Sequence, residues 1–217
     1  MPATTADLNP HVLIIDDDPN FRESVGRLLR SLGMSSQLFG SISDFLKWNP
    51  LDGPTCLVLD VRLQGESGLE LQRELAAANK QVPIVFVTAH GDIAMSVQAM
   101  KGGAIEFLTK PIRDQDLLDA IRLGLSRDRA RREDEKTLEA LRGRFRSLSP
   151  REREILIQVA HGRLSKQIAS DMGITETTVK VHRSRAMRKM NTRSLPELGR
   201  RSCKAGLTIM SLVSFRM

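Results

Sequence analysis

For its first 125 residues the chain alternates between two apolar rhythms. Short apolar runs at Val12–Ile15, Leu57–Leu59, Ile84–Val87 and Ile105–Leu108, the last broken by Glu106, with a weaker one at Ser36–Phe39, have the form of buried strands. Between them apolar residues recur at three- and four-residue intervals, the period of a helix packed on one face. Pro19 opens the first such stretch, with Phe21, Val25, Leu28, Leu29 and Leu32 on its apolar face and Gly33 at its end. Ser41–Trp48, Leu69–Ala78, Ile93–Met100 and Asp114–Leu125 follow, the last carrying Leu117, Leu118, Ile121 and Leu125. Five strands alternating with five helices predict an α/β fold, a doubly wound five-stranded parallel sheet covered on both faces.

The rhythm changes after residue 125. Residues 126–147 are mostly charged, and Leu138, Leu141, Phe145 and Leu148 have the 3-4-3 spacing of a coiled-coil seam. Two heptads interrupted by Gly143 are too few for a stable coiled coil, so a helical linker is predicted. Four helical units follow. Pro150–Ala160 comes after a Ser149 cap, Lys166–Met172 ends at Gly173, Thr175–Met190 is strongly basic, and Pro196–Ala205 ends at Gly206. A short helix, a glycine turn and a longer basic helix predict a helix-turn-helix in an all-α domain. Leu207–Phe215 is apolar and has no assigned element. The expected organisation is therefore 1–125, a linker at 126–147, and 148–217.

Charge follows the same division. Residues 1–125 carry 11 Lys+Arg against 16 Asp+Glu, 126–147 carry 8 against 5, and 148–217 carry 14 against 5. The net charge of +7 thus conceals an acidic first half and a basic last segment, which alone calls for a polyanionic partner. Cys56 and Cys203 fall in strand and helix patterns and are expected as free thiols of a reducing compartment. The first residues lack a signal peptide's charged and apolar regions, and no apolar run approaches the roughly 20 residues of a membrane span. A cytoplasmic protein with no membrane partner is expected.

The chemistry lies at strand ends. Asp60 closes Cys56-Leu57-Val58-Leu59-Asp60, Asp16-Asp17-Asp18 follow the first strand, and Lys110 follows the fifth. Open α/β sheets bind ligands at that edge. Carboxylates and an ammonium there would hold a divalent cation and a phosphoryl group. Mg²⁺ takes one or two carboxylates with phosphate and water, a charge Asp16 and Asp17 can supply. Asp60 is then a third ligand or a nucleophile able to form an acyl phosphate, and Thr88 offers a hydroxyl. Each residue alone has a plainer role, as a helix N-terminal charge, a turn cap or an exposed lysine. Their coincidence at the ends of alternate strand patterns favours one site.

In the basic helix, Lys180, Arg183 or Ser184, and Met187 are predicted to face outward, and Val179, Ala186 and Met190 inward. With Lys180, His182, Arg183, Arg185, Arg188 and Lys189 on one helix, DNA binding is favoured over an ordinary solvated surface.

These residues carry two resemblances. Residues 11–125 resemble the receiver domain of two-component response regulators, through Ile14-Ile15-Asp16-Asp17-Asp18, Leu59-Asp60-Val61-Arg62, Ser67-Gly68, Val87-Thr88-Ala89-His90-Gly91 and Phe107-Leu108-Thr109-Lys110-Pro111. Residues 148–206 resemble the LuxR-type DNA-binding domain, through Leu148-Ser149-Pro150-Arg151-Glu152, Lys166-Gln167-Ile168-Ala169, Gly173-Ile174-Thr175 and Thr177-Thr178-Val179-Lys180-Val181-His182-Arg183. The pairing resembles the NarL/FixJ family, and His90-Gly91-Asp92 leans toward FixJ.

The first resemblance implies a flavodoxin-like strand order 2-1-3-4-5 and Asp60 as phospho-acceptor from a sensor histidine kinase. Mg²⁺ would sit on Asp17, Asp60 and the Arg62 backbone carbonyl, with Asp16 acting largely through water. Thr88 and Phe107 would be the switch pair and Lys110 the phosphate partner. Leu63-Gln64 stands where many receivers have Met-Pro, so a less rigid loop and an altered phosphoryl lifetime are expected.

The second resemblance implies promoter DNA as partner. Lys180, Val181 and Ser184 would contact bases, His182 and Arg183 phosphates or neighbouring side chains, and Lys166, Thr177 and Thr178 would join the interface. Asn191-Thr192-Arg193 would begin a last helix contributing to dimerisation. A homodimer formed on phosphorylation, with RNA polymerase as a further partner, completes the expectation of a transcription factor. It is not expected to be an enzyme beyond its own Mg²⁺-dependent phosphorylation and dephosphorylation. A regulator with a purely structural receiver is the alternative. A phosphatase using Asp60 lacks a second aspartate two residues on, where Arg62 stands.

Overall fold

The computed structural model describes residues 9–49, 52–89 and 91–192. Two compact units divide at Arg132/Glu133. The elements of the first are β1 (His11–Ile15), α1 (Pro19–Ser31), β2 (Ser35–Phe39), α2 (Ile42–Lys47), β3 (Thr55–Asp60), β4 (Arg62–Leu63), β5 (Glu66–Ser67), α3 (Gly68–Ala77), β6 (Ile84–Thr88), α4 (Ile93–Lys101) and β7 (Glu106–Thr109). Helix α5 (Asp114–Arg146) contributes to both units, and α6 (Pro150–Ala160), α7 (Ser165–Met172) and α8 (Glu176–Lys189) belong to the second.

The large sheet is parallel and ordered β2-β1-β3-β6-β7. Counting only its own five strands, that is the expected 2-1-3-4-5. Successive side chains of a strand point to opposite faces, and both faces are buried here. Leu13, Ile15, Leu57, Leu59 and Phe86 pack with residues of α2, α3 and α4. Val12, Ile14, Cys56, Val58, Val85 and Val87 pack with residues of α1 and α5. Each fully buried Leu or Val contributes roughly 1.5–3 kcal/mol. Register matters more for function. Ile15 pairs with Leu59, and Asp60 with Val87, which fixes Asp16, Asp60 and the end of β6 at one sheet edge.

Leu63 and Gln64 lie in the segment that follows Asp60. This segment folds as a small antiparallel hairpin, β4 with β5, turning at Gly65 with φ 77°. The Glu66 carboxylate accepts from the Ile42 amide (2.9 Å) and so ties the hairpin to the start of α2. The Gly68 amide donates to Val61 O (3.0 Å). Only glycine fits there, because a Cβ at residue 68 would lie 2.2 Å from Asp60 O.

In the second unit α6, α7 and α8 enclose Ile155, Val159, Ile168, Ala169 and Val179. The seam-like positions at the end of α5 are absorbed by the same unit: Leu141 and Leu148 are buried against Leu156, Ala186 and Met190, with Phe145 and Met187 packed alongside. A capping box starts α6, with Ser149 and Glu152 each bonded to the other's backbone amide. Gly173, at φ 64°, makes the turn from α7 to α8. Asn191 is left-handed (φ 51°) and follows the end of α8. The predicted helix at 196–205, Arg193, Cys203, the 207–215 run and His90 lie outside the described residues. Among the described residues no helix is long and apolar enough to cross a membrane.

Candidate functional site

The ends of β1, β3 and β7 converge on an acidic cluster. Asp16, Asp17 and Asp60 each offer a carboxylate oxygen within 4.8 Å of the others. Asp16 and Asp60 are buried and Asp17 half-buried. The Lys110 ammonium, delivered from just past β7, donates to Asp16 Oδ2 (2.6 Å) and Asp60 Oδ2 (3.0 Å). Burial raises the Asp16 carboxyl above its ordinary value, while the hydrogen bond from Lys110 pulls the other way. For Lys110 burial opposes the charge, but the hydrogen bonds to Asp16 and Asp60 prevail, and it titrates above its usual value. The ammonium is therefore a fixed positive charge beside Asp60. Three carboxylates within reach of one point are a donor set suited to a hard divalent cation.

Backbone groups complete the cluster. The Arg62 amide donates to Asp60 Oδ1 (3.0 Å), so residue 62 lies against the carboxylate through its main chain. Asp18 points elsewhere: it caps α1 by accepting from the Asn20 amide (2.9 Å), and its own amide donates to Asp16 Oδ1 (3.0 Å).

Thr88 is buried at the end of β6, and its carbonyl accepts from the Lys110 amide (2.8 Å). Phe107 on β7 is half-buried, its ring centroid 6.4 Å from that of Phe86. A Cβ placed on Gly91 would meet Phe107 Cε1 at 2.9 Å and Thr88 Cγ2 at 3.1 Å. The two predicted switch residues therefore share one neighbour at this edge.

The second set of predicted residues lies on the helix-turn-helix of the other unit. Val179, Ala186 and Met190 face inward as expected. Lys180, Val181, Arg183, Ser184 and Arg185 are exposed on α8, Val181 at 43%. Met187 departs from expectation: it packs against the Leu141–Leu148 cluster, because it lies one residue from Ala186 and its long side chain reaches the same core. Lys180 is paired with Glu176 one turn back (2.8 Å). Thr178 is half-buried, with its amide and hydroxyl turned to Thr175 at the N-cap (3.2 and 2.8 Å). Lys166 and Thr177 are exposed and His182 half-buried.

Comparison with known proteins follows the same division. Residues 12–122 match the family described as "Response regulator receiver domain", and residues 146–201 match "Bacterial regulatory proteins, luxR family". Nodulation protein W of Bradyrhizobium diazoefficiens is 47% identical over 205 residues, which span 94% of this chain and 90% of that one. The chain belongs to the NarL/FixJ family of response regulators. Among solved structures, response regulator StyR aligns with a TM-score of 0.79 at 47% identity, covering 90% of this chain and 99% of that one. Full-length FixJ from B. japonicum aligns at 0.55 and 36%, covering 92% and 98%. This response regulator therefore combines a receiver with a LuxR-type DNA-binding domain. Receivers imply a kinase partner and hold Mg²⁺ at an acidic pocket, and the acidic cluster of this receiver is Asp16, Asp17 and Asp60.

Three contacts went unforeseen. The Phe21 ring lies under Lys110 Nζ, 4.1 Å from its centroid, and the Arg22 guanidinium donates to the Asp16 carbonyl. Both sit on the first turn of α1, close behind the aspartates in sequence. Phe21 also fits the apolar period of α1, which hid its second contact. The third is Asp128, buried in the charged stretch, where it accepts from the Thr55 amide (2.8 Å) and from Arg132 (2.7 Å). It continues the buried spacing of Ile121 and Leu125, and that spacing was its only signal.

Proposed function

We propose that this response regulator is switched by a phosphoryl group that a sensor histidine kinase places on Asp60. The observation that carries the reading is the Lys110 ammonium held 3.0 Å from Asp60 Oδ2 and 2.6 Å from Asp16 Oδ2 in a cluster of three carboxylates. Mg²⁺ held by Asp17, Asp60 and the Arg62 carbonyl, with Asp16 acting through water, would neutralise charge on the transferring group. Asp60 attacks phosphorus and the donor imidazole leaves. Lys110 then faces a phosphoryl oxygen in place of a bare carboxylate, and the Thr88 hydroxyl turns toward the same group. That movement frees space for Phe107, which shares the Gly91 neighbourhood with Thr88. The exposed side chains of α4, Ile93 at 84% and Val97 and Met100 at 45%, supply an apolar face for dimerisation once the switch reorients.

Residues 1–125 act as the receiver, 126–147 as the charged helical linker, and 148–217 as the promoter-binding domain of a cytoplasmic transcription factor that engages RNA polymerase. Lys180, Val181 and Ser184 read bases, and His182, Arg183, Lys166, Thr177 and Thr178 support them at phosphates or neighbouring side chains. Dimerisation and operator affinity, measured with beryllofluoride in wild type and Asp60→Asn, test the switch. Both should rise in wild type and stay unchanged in Asp60→Asn. No response in wild type would sink the reading, and full operator binding by untreated Asp60→Asn would favour a purely structural receiver.

A further inference from the structure

We propose that Phe21 is a positioning residue for Lys110, holding the ammonium at the phosphoryl site while the groups around it change. The inference rests on Asp60 being the phospho-acceptor. A lysine ammonium has three N–H donors on a flexible four-carbon stem. Asp16 Oδ2 and Asp60 Oδ2 accept at 2.6 and 3.0 Å, and the Phe21 ring lies 4.1 Å from Nζ at its centroid. Neither carboxylate is a constant partner. Asp60 loses its free carboxylate when it becomes an acyl phosphate, and Asp16 is within reach of any cation the acidic cluster takes up. The ring face alone keeps its attraction through both changes. It is also well anchored, because Phe21 packs against the core beneath α1 and the Lys110 main chain is tied to Thr88.

Phosphorylation by acetyl phosphate in the presence of Mg²⁺ reads this contact directly. The P–O bond to acetate breaks, acetate leaves with the electron pair, and an Asp60 oxygen bonds to phosphorus. Loss of a cation–π contact of roughly 1 kcal/mol corresponds to labelling on the order of fivefold slower in Phe21→Leu. Phe21→Tyr should restore the wild-type rate, and Phe21→Leu should add nothing in a Lys110→Met background. In the metal-free protein, NMR should find the Lys110 ε-methylene protons shifted upfield in wild type and Phe21→Tyr, and unshifted in Phe21→Leu. If wild type labels no better than Asp60→Asn, the phospho-acceptor reading and this one fall together. If wild type labels normally but Phe21→Leu matches it, or slows equally without Lys110, Phe21 is only a core residue.

Discussion

Asp60 is placed by its neighbours on both sides of the chain. β3 carries it to the sheet edge, the Arg62 amide holds Oδ1, and the Gly68 amide closes the hairpin onto Val61. Gly68→Ala should therefore disturb the site although residue 68 carries no functional group. Its Cβ would lie 2.2 Å from Asp60 O and 3.0 Å from Leu59 Cγ, so the start of α3 must move away from β3. Denaturant melts should record about 1–3 kcal/mol of destabilisation, and labelling of Asp60 should slow. Gly65→Ala is the control: it is strained by its φ of 77° but has nothing within 4 Å, and it should cost about 1 kcal/mol while labelling proceeds normally. Equal labelling in both variants would detach Asp60 from the close packing at Gly68. Asp16, Asp17, Asp60 and Lys110 were legible in the chain because strand ends in a parallel sheet share an edge, so charged residues there must meet. Phe21 and Glu66 were not, since each acts through a side-chain direction across space, and an apolar residue in period reads as core alone.

Among the helices, α6 depends on one carboxylate for two functions. Glu152 closes the capping box on the Ser149 amide (2.9 Å) and pairs with Lys189 near the end of α8 (2.6 Å). The hydrogen bond from Lys189, then that from the Ser149 amide, holds its carboxyl below the ordinary value of 4.5. A carboxyl lowered in the folded state stabilises fully above its unfolded value, and that contribution is lost as pH falls through the folded one. Amide protection in α6 and α8, relative to intrinsic exchange at the same pH, should begin to fall in wild type as pH drops below the ordinary value of 4.5, and go on falling as the depressed group protonates at lower pH. In Glu152→Gln protection should be lower at neutral pH by about 1–3 kcal/mol, with that acid limb flattened. An unchanged acid limb would assign the pH response to other groups. The same tie explains what periodicity missed at the end of α5. The 3-4-3 spacing of Leu138, Leu141, Phe145 and Leu148 marks an apolar stripe correctly, but periodicity cannot say whether a second chain or the chain's own helices will cover it. Here α6 and α8 cover Leu141 and Leu148, and Met187 is drawn into the same cluster.

On the scale of the whole molecule, charge separates the two tasks. Residues 133–217 hold 18 Lys+Arg against 9 Asp+Glu, and residues 1–132 hold 15 against 17, so net attraction to a polyanion comes from the second unit. DNA affinity should fall steeply with salt as phosphate counterions are released, and α8 should divide that response between its residues. Lys180 is exposed, and its ion pair with Glu176 (2.8 Å) must yield before it can read a base. Lys180→Ala should therefore weaken binding to a selected operator by about 1–3 kcal/mol and relax discrimination at one position, with little effect on unrelated duplex. Arg183→Ala should weaken operator and unrelated duplex alike and reduce the salt slope by about one. Salt titrations of both variants against both duplexes separate the roles. If Lys180→Ala lost affinity equally for the two duplexes, Lys180 would be a phosphate contact, and base reading would pass to Val181 and Ser184.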